Sequence, residues 1–324
     1  MRDARPRSHT LTRRSVMPDW LPLDVLVQWA NLSLGLTVLL VGQRLQHPGA
    51  WFGLHVTLAL AVYMLAKHAD AEAAGSDPLT LLHHWLPALV VPAIYFELGL
   101  LIPLVRDYSD YRYDYALQAI DVWVLGDDPA AAVGGFANRA LSDILSACYV
   151  GYYAFTLAVP VALYMRGAYD EYQRVASIIV VAFLVSYVGY VIVPALGPHR
   201  LFDGPRPLEL EGYGFARYSY QQLLGIPNEP PDAFPSGHSL IGVIVPALAW
   251  RWHRPLFYWL APVGVGIVLA TIYLRLHYLT DVVAAFALAP VCWQLGRAVE
   301  RRFGAQPAER PSFEGAAPES PDLT

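Results

Sequence analysis

The chain has 324 residues, of which 56% are hydrophobic and 15% charged, with a formal net charge of −5 and a mean hydropathy of +0.37. That balance excludes an ordinary soluble globular domain and indicates an all-α polytopic membrane protein. The small net charge says little about partners when most of the surface faces lipid, and no nucleotide loop, nucleic-acid motif or internal repeat is present.

Residues 1–20 carry Arg2, Arg5, Arg7, Arg13 and Arg14 with no apolar signal-peptide core beside them, and read as a retained cytoplasmic basic tail. About eight apolar stretches follow that approach the length needed to cross roughly 30 Å of hydrocarbon. They are Leu23–Val41, Trp51–Ala66, Trp85–Val105, Ile144–Met165, Val175–Leu196, Ser239–Trp252, Leu256–Leu274 and Tyr278–Leu295, the second and sixth being short. Glu97 within the third is either a polar contact to another helix or part of a substrate path. After it, Arg106, Asp107, Tyr108, Asp110, Tyr111 and Arg112 suggest an interfacial belt, and the apolar spacing over 115–125 suggests a segment lying flat over an outer-face site. Cys148 and Cys292 fall inside spans and read as apolar filler. Positive charge at both ends and in the alternate loops (Lys67, Arg166, Arg174, Arg251, Arg254) places both termini in the cytoplasm and the loops 106–143 and 197–234 outside. Residues 300–324 read as a disordered cytoplasmic tail.

Three polar clusters stand at the outer ends of spans. "GPHRLFDGPRP" (197–207) offers Arg200 and Arg206, whose guanidinium forks suit phosphate oxygens. "PSGH" (235–238) places Ser236 as the N-cap of a helix whose first free N–H groups, at Gly237 and His238, make an anion site beside an imidazole. "LRLHYLTDVV" (274–283) sets His277 four residues before Asp281; on a helix the two share a face, and the carboxylate can orient one ring nitrogen and leave the other as a nucleophile. The pair alone fits a buried polar bridge equally well, but clusters at one membrane depth favour a site.

Taken together and in this order, the clusters resemble the phosphatidic acid phosphatase type 2 superfamily, whose motifs read K-x6-R-P, P-S-G-H and S-R-x5-H-x3-D. The second is intact at Pro235, Ser236, Gly237 and His238. The first persists as Arg206-Pro207 with His199 at the lysine position, and the third keeps His277 and Asp281 behind Ala270-Thr271. "RLHYLTDV" and "GPHR" are more similar to the sphingomyelin synthase and inositol phosphorylceramide synthase branch, in which Arg200 and Arg275 would replace the missing cations. The resemblance covers roughly residues 85–297 and implies a six-helix catalytic core at 85–299, with 21–84 as two added N-terminal helices.

What the resemblance implies is a lipid phosphotransferase, with sphingolipid or phospholipid substrates. His277 would be the nucleophile forming a phosphohistidine, His238 the acid and base, and Asp281 the orienting carboxylate. Arg200, Arg206, Arg275, His199, Ser236 and Gly237 would bind phosphate, with no metal and no cofactor. The partners would be a lipid phosphate, a lipid or polyol acceptor and the bilayer, with no nucleic acid. Two alternatives stay open: a phosphatase acting on a phospholipid or polyprenyl (pyro)phosphate, and a non-catalytic lipid-binding or transport protein.

Overall fold

The computed structural model of the chain describes residues 20–68, 77–127, 129, 138–201, 214–225 and 228–304. Among these residues it is helical throughout, the only strand-like contact being an isolated parallel bridge between Ala195 and Asp232. The helices are α1 (Pro22–Val41, continued by a 3-10 turn Gly42–Arg44), α2 (Pro48–His68), α3 (Pro78–Val105), α4 (Arg112–Leu125), α5 (Arg139–Val150) and α6 (Tyr152–Met165). They continue as α7 (Tyr169–Ile192), α8 (Pro198–Leu201), α9 (Phe215–Leu224), α10 (Gly237–Trp252), α11 (Arg254–Tyr273) and α12 (Leu279–Phe303).

Six of these, α1, α2, α3, α7, α11 and α12, are long and apolar enough to cross a membrane. The stretch expected as the fourth span is broken: α5 and α6 meet at Gly151 with a bend of 51° and pass the same test only as a pair. The stretch expected as the sixth forms α10, whose 16 residues fall short of a full crossing by the same measure. Helix α3 begins at Pro78, where Asp77 caps it by accepting from the Thr80 N–H at 2.7 Å, so the expected division at residue 84 lies inside a continuous helix.

Helix α7 is the most deeply buried of the spans and packs against α12, α6, α10, α1 and α3. Beside it α10 and α11 pack backbone to backbone, because Gly242 and Gly264 face each other. A methyl group on Gly264 would stand 2.4 Å from the Gly242 carbonyl oxygen. Small residues at such crossings are how helices approach closely when lipid supplies no hydrophobic drive between them.

Two buried polar pairs fasten α1 and α2 to α3. Asp24 accepts from His83 Nε2 at 2.7 Å, and Glu97 accepts from His55 Nε2 at 2.8 Å, while His55 also meets the Asn31 side chain at 2.8 Å. Glu97 is therefore a contact to a neighbouring helix, the first of the two readings its sequence position left open. Both cysteines are free, Cys292 fully buried.

Gly264→Ala should lower the melting temperature in detergent by several degrees, since forcing a methyl into a packed crossing costs about 1–3 kcal/mol. Gly53→Ala on α2, where nothing stands within 4 Å of the new methyl, serves as the control and should leave it unchanged or slightly raised. Equal melting temperatures for the two would mean that the α10–α11 crossing is not close-packed.

Candidate active site

Three connections converge at one end of the bundle: residues 193–201 after α7, 228–236 before α10, and 274–278 between α11 and α12. Backbone hydrogen bonds interlock them. Ala233 N–H donates to the Ala195 carbonyl at 3.0 Å, His199 N–H to Arg275 at 2.9 Å, and Ser236 N–H to Asp281 at 3.3 Å. At Gly197 the chain turns through φ +95°, and an added Cβ would lie 2.4 Å from the Leu276 carbonyl oxygen, so this join requires glycine on both counts.

His277 sits in the last of these connections, not on a helix. Helix α12 starts at Leu279, so the expected shared helical face with Asp281 does not exist. The pair forms instead through the first turn. Asp281, at the third position of α12, accepts from the Tyr278 N–H at 2.7 Å, and the same oxygen stands 3.6 Å from His277 Nδ1. The nearer partner of Nδ1 is the Ala233 carbonyl, at 2.8 Å. A carbonyl only accepts, so Nδ1 carries the proton and Nε2 of the neutral ring keeps its lone pair. Burial pulls the imidazole's pKa down, but the nearby carboxylate of Asp281, the charge of Asp232 and the Ala233 carbonyl outweigh it, holding the group above its ordinary value.

His238 opens α10. Ser236 is the N-cap, as its sequence position suggests: its hydroxyl oxygen accepts from Ser239 N–H at 3.2 Å, and its side chain is fully buried. The His238 ring is held between two tyrosines, stacked on Tyr149 with centroids 4.0 Å apart and tilted against Tyr152 at 4.1 Å. Its centroid is 6.1 Å from that of His277, so the two motifs meet. Gly237 passes under Tyr190, whose hydroxyl would lie 2.6 Å from an added Cβ.

The remaining expected site residues are placed as follows. His199 reaches the cavity wall, both ring nitrogens buried and without a partner among the described residues; burial, together with the neighbouring Arg200 charge, pushes its pKa down to about 3. Arg200 turns to Glu229, 2.6 Å away. Arg275 adopts φ +56°, with a buried Nε that has no partner among the described residues. Arg206 and the rest of 202–213 lie outside the described residues.

Sequence reasoning passed over two carboxylates of α4. Asp114 accepts from the N–H groups of Leu196 and Gly197, at 3.0 and 2.8 Å, and from the Tyr278 hydroxyl at 3.1 Å. Asp121 accepts from Leu279 N–H at 2.6 Å and from Thr280 N–H at 2.8 Å. They bind the underside of the loops that carry His199 and His277. The available signal was their spacing: seven residues is two helical turns, so both face one way while Tyr115, Trp123 and Val124 stay exposed. Helix α4 thus supports the site from behind, and the segment expected to cover it is absent from the cavity wall. The cavity is covered by α9, which contributes Phe215, Tyr218, Ser219 and Gln222 and is fixed to α5 by Ala216 N–H donating to Asp143 at 2.7 Å.

The cavity itself has a volume of about 480 Å³. Its polar end holds His199, Glu229, Asp232, Gly237, His238 and His277. From there it follows α7 between Tyr190 and Tyr172, about 27 Å at 1.5 Å per residue, and ends at Leu23 and Trp85 among apolar side chains.

The PAP2 superfamily model matches residues 115–295, more than half of the 324. The chain belongs to the PAP2 superfamily. Members of this superfamily are generally phosphatases or phosphotransferases that act on lipid phosphates in membranes. The matched stretch runs from α4 into α12, taking in His238, His277 and Asp281 and leaving α1–α3 outside. No curated protein and no solved structure matches the chain.

Asp114→Ala should destabilise the protein by roughly 2–5 kcal/mol, because it strands two amide donors and a phenol away from water. The check is a fall in detergent melting temperature larger than that of Asp110→Ala, whose carboxylate is exposed and paired only with Arg112. A smaller fall than in the control would remove Asp114 from the support of the site.

Proposed function

We propose that this PAP2 protein is a metal-independent lipid phosphotransferase that works through a phosphohistidine at the extracytoplasmic face. One observation carries the reading. His277 has Nδ1 committed to the Ala233 carbonyl, which leaves Nε2 as the nucleophile of a ring that lines a lipid-sized cavity, its centroid 6.1 Å from that of His238 on the same wall.

Nε2 of His277 attacks phosphorus; a P–N bond forms as the P–O bond to the leaving alcohol breaks. His238, entering the step as the imidazolium, gives its proton to that departing oxygen and becomes the neutral base. In the second half the acceptor hydroxyl returns a proton to His238 and attacks phosphorus, and the P–N bond breaks. Asp281, poised near Nδ1, stabilises the imidazolium character that develops. The free N–H groups at the start of α10, Gly237 and His238, face the phosphoryl oxygens, and Ser236 shapes that turn. Arg200 and Arg275 supply positive charge from the connections around the site, and Arg206 is the third cation the motif order implies. The apolar run along α7 takes the lipid tail.

Transfer to an alcohol, as in the sphingomyelin and inositol phosphorylceramide synthase branch, is favoured over hydrolysis by the cover of α9 and the apolar walls, because a phosphohistidine is partitioned by which nucleophile reaches it. The chain is organised as an added hairpin, α1 and α2, ahead of a catalytic core from α3 to α12. With α5 and α6 counted as one broken span and α10 as a short one, there are about eight crossings; an even number leaves both ends of the bundle on one side, and the arginines ahead of α1 and in the last turns of α12 favour the cytoplasmic one.

His277→Ala should abolish turnover and the covalent adduct. His238→Ala should cost roughly 10²–10⁴-fold with a lipid alcohol as leaving group and much less with a nitrophenolate, and EDTA should have no effect. Label from a phospholipid should appear in a new phosphodiester when ceramide, diacylglycerol or inositol is supplied; its appearance only in water-soluble phosphate would convert the transferase into a phosphatase.

The acid limb of kcat/KM should lie above pH 6.5, since the raised pKa of His277 keeps the inactive protonated form populated to higher pH. Asp281→Asn should move that limb to lower pH while lowering the plateau. An unmoved limb would assign it to another group.

In a cysteine-free background, Ser109→Cys should react with an impermeant thiol reagent in intact cells and Asp170→Cys only after permeabilisation. The reverse pattern would invert the orientation.

A further inference from the structure

The cavity changes character along its length. In its first part, near the histidines, Phe96 of α3 and Tyr153 and Leu157 of α6 line it and are also exposed on the surface of the bundle. Farther along α7 the lining residues Pro87, Pro160 and Ala176 are buried, and Leu23 and Tyr172 at the bottom are each only 2% exposed. A cavity open sideways near its polar end and closed at the other admits a hydrocarbon chain from the bilayer and then stops it.

The closed end is held at a fixed depth. Trp85 packs edge-on against Tyr164, with ring centroids 5.5 Å apart, and against Tyr172 at 5.3 Å. Immediately beside these rings, three hydrogen bonds join four helices. His84 Nδ1 meets the Tyr164 hydroxyl at 3.2 Å, linking α3 to α6, and the Tyr172 hydroxyl donates to the His84 carbonyl at 2.6 Å, linking α7 to α3. Asp24 accepts from His83 Nε2 at 2.7 Å, linking α1 to α3. Leu23 and Trp85 are the sequence neighbours of Asp24 and His84, so the side chains that end the cavity are carried by the residues that make these bonds. A chain end pushing farther would have to displace close-packed rings and part buried hydrogen-bonded groups, and both are costly.

Depth translates into chain length. From Tyr190 to Tyr172 the cavity follows α7 for about 27 Å. An extended saturated chain, with bonds near 1.5 Å meeting at about 111°, advances about 1.25 Å per carbon, so with the phosphate ester at the histidines the cavity accepts about 18–20 carbons.

We propose that Leu23, Trp85 and Tyr172 form a chain-length stop, which selects substrates by one saturated hydrocarbon chain whose end meets these three side chains. Leu23 belongs to α1, outside the stretch matched by the superfamily model, so the added hairpin takes part in specificity. The proposal rests on the phosphotransferase reading for where the phosphate sits, and it adds the selection of the tail, which that reading leaves open.

The test separates depth from turnover. Full-chain protein in nanodiscs is given n-alkyl phosphates that carry a diazirine at the chain end, is irradiated, and the labelled residues are mapped by peptide mass spectrometry. A chain of ten carbons should label the middle of the cavity around Ile179 and Phe183, and one of eighteen carbons should label Leu23, Trp85 or Tyr172; this arm needs no variant to fold. Turnover is read as nitrophenolate released from n-alkyl 4-nitrophenyl phosphates. Its kcat/KM should be greatest near eighteen to twenty carbons and at least tenfold lower at twenty-four. Trp85→Ala should raise the ratio of the twenty-four-carbon rate to the eighteen-carbon rate at least tenfold, and Leu23→Trp should move the optimum to shorter chains. Labelling that ignores chain length, a flat rate profile, or an equal loss at every length in Trp85→Ala overturns the stop. Length-dependent labelling with no nitrophenolate released from any compound would end the phosphotransferase reading and leave the stop standing.

Discussion

The hydrogen bond between His277 Nδ1 and the Ala233 carbonyl does two things at once. Chemically it fixes which imidazole nitrogen bears the proton, and so which one reacts. Mechanically it ties the connection before α12 to the connection before α10, the two segments that carry the paired histidines. In the arrangement most often invoked for an oriented histidine a carboxylate receives Nδ1–H; here a backbone carbonyl is closer and Asp281 stands second, at 3.6 Å. A carbonyl is neutral, so it can hold the ring without stabilising the charged form as strongly. The division leaves Asp281 free to organise the first turn of α12 through the Tyr278 N–H.

That bond would be worth little if the loops around it were loose. They are made stiff by carboxylates that accept from backbone N–H groups: Asp114 under residues 196–197, Asp121 under 279–280, Asp143 under 216. Loop N–H groups near a membrane surface must find acceptors inside the protein, and a carboxylate serves two of them together. The site is thereby built on α4, α5 and the ends of α7, α11 and α12, with Gly237 and His238 in the first turn of α10, Asp281 in the first turn of α12 and His277 in the connection before it.

Most of the helical plan was legible, because long apolar stretches declare themselves by composition alone. Where the reading slipped, a local feature was responsible. The fourth stretch reads as one span because Gly151 does not interrupt its hydropathy, although it permits a 51° bend. His277 and Asp281 read as one helical face because four-residue spacing signals a helix, although Tyr278 caps α12 after the histidine. In the site, Ser236, Gly237, His238, His277 and Asp281 were visible as motifs. Asp114 and Asp121 were not, since their role depends on which loop α4 happens to underlie.

The buried pairs Asp24–His83 and His55–Glu97 bear on how the protein is made. In both, the first partner lies on α1 or α2 and the second on α3, so the hairpin taken alone leaves each group without its ionic partner. Ionisable groups in spanning helices are costly to leave unpaired. His55 is spared part of this by Asn31, its neighbour within the hairpin at 2.8 Å, and Asp24, at the very start of α1, by the Leu21 N–H it accepts at 2.8 Å. The hairpin therefore carries partners of its own for both groups, and α3 completes the set, so that the three helices are joined by polar contacts inside the bundle.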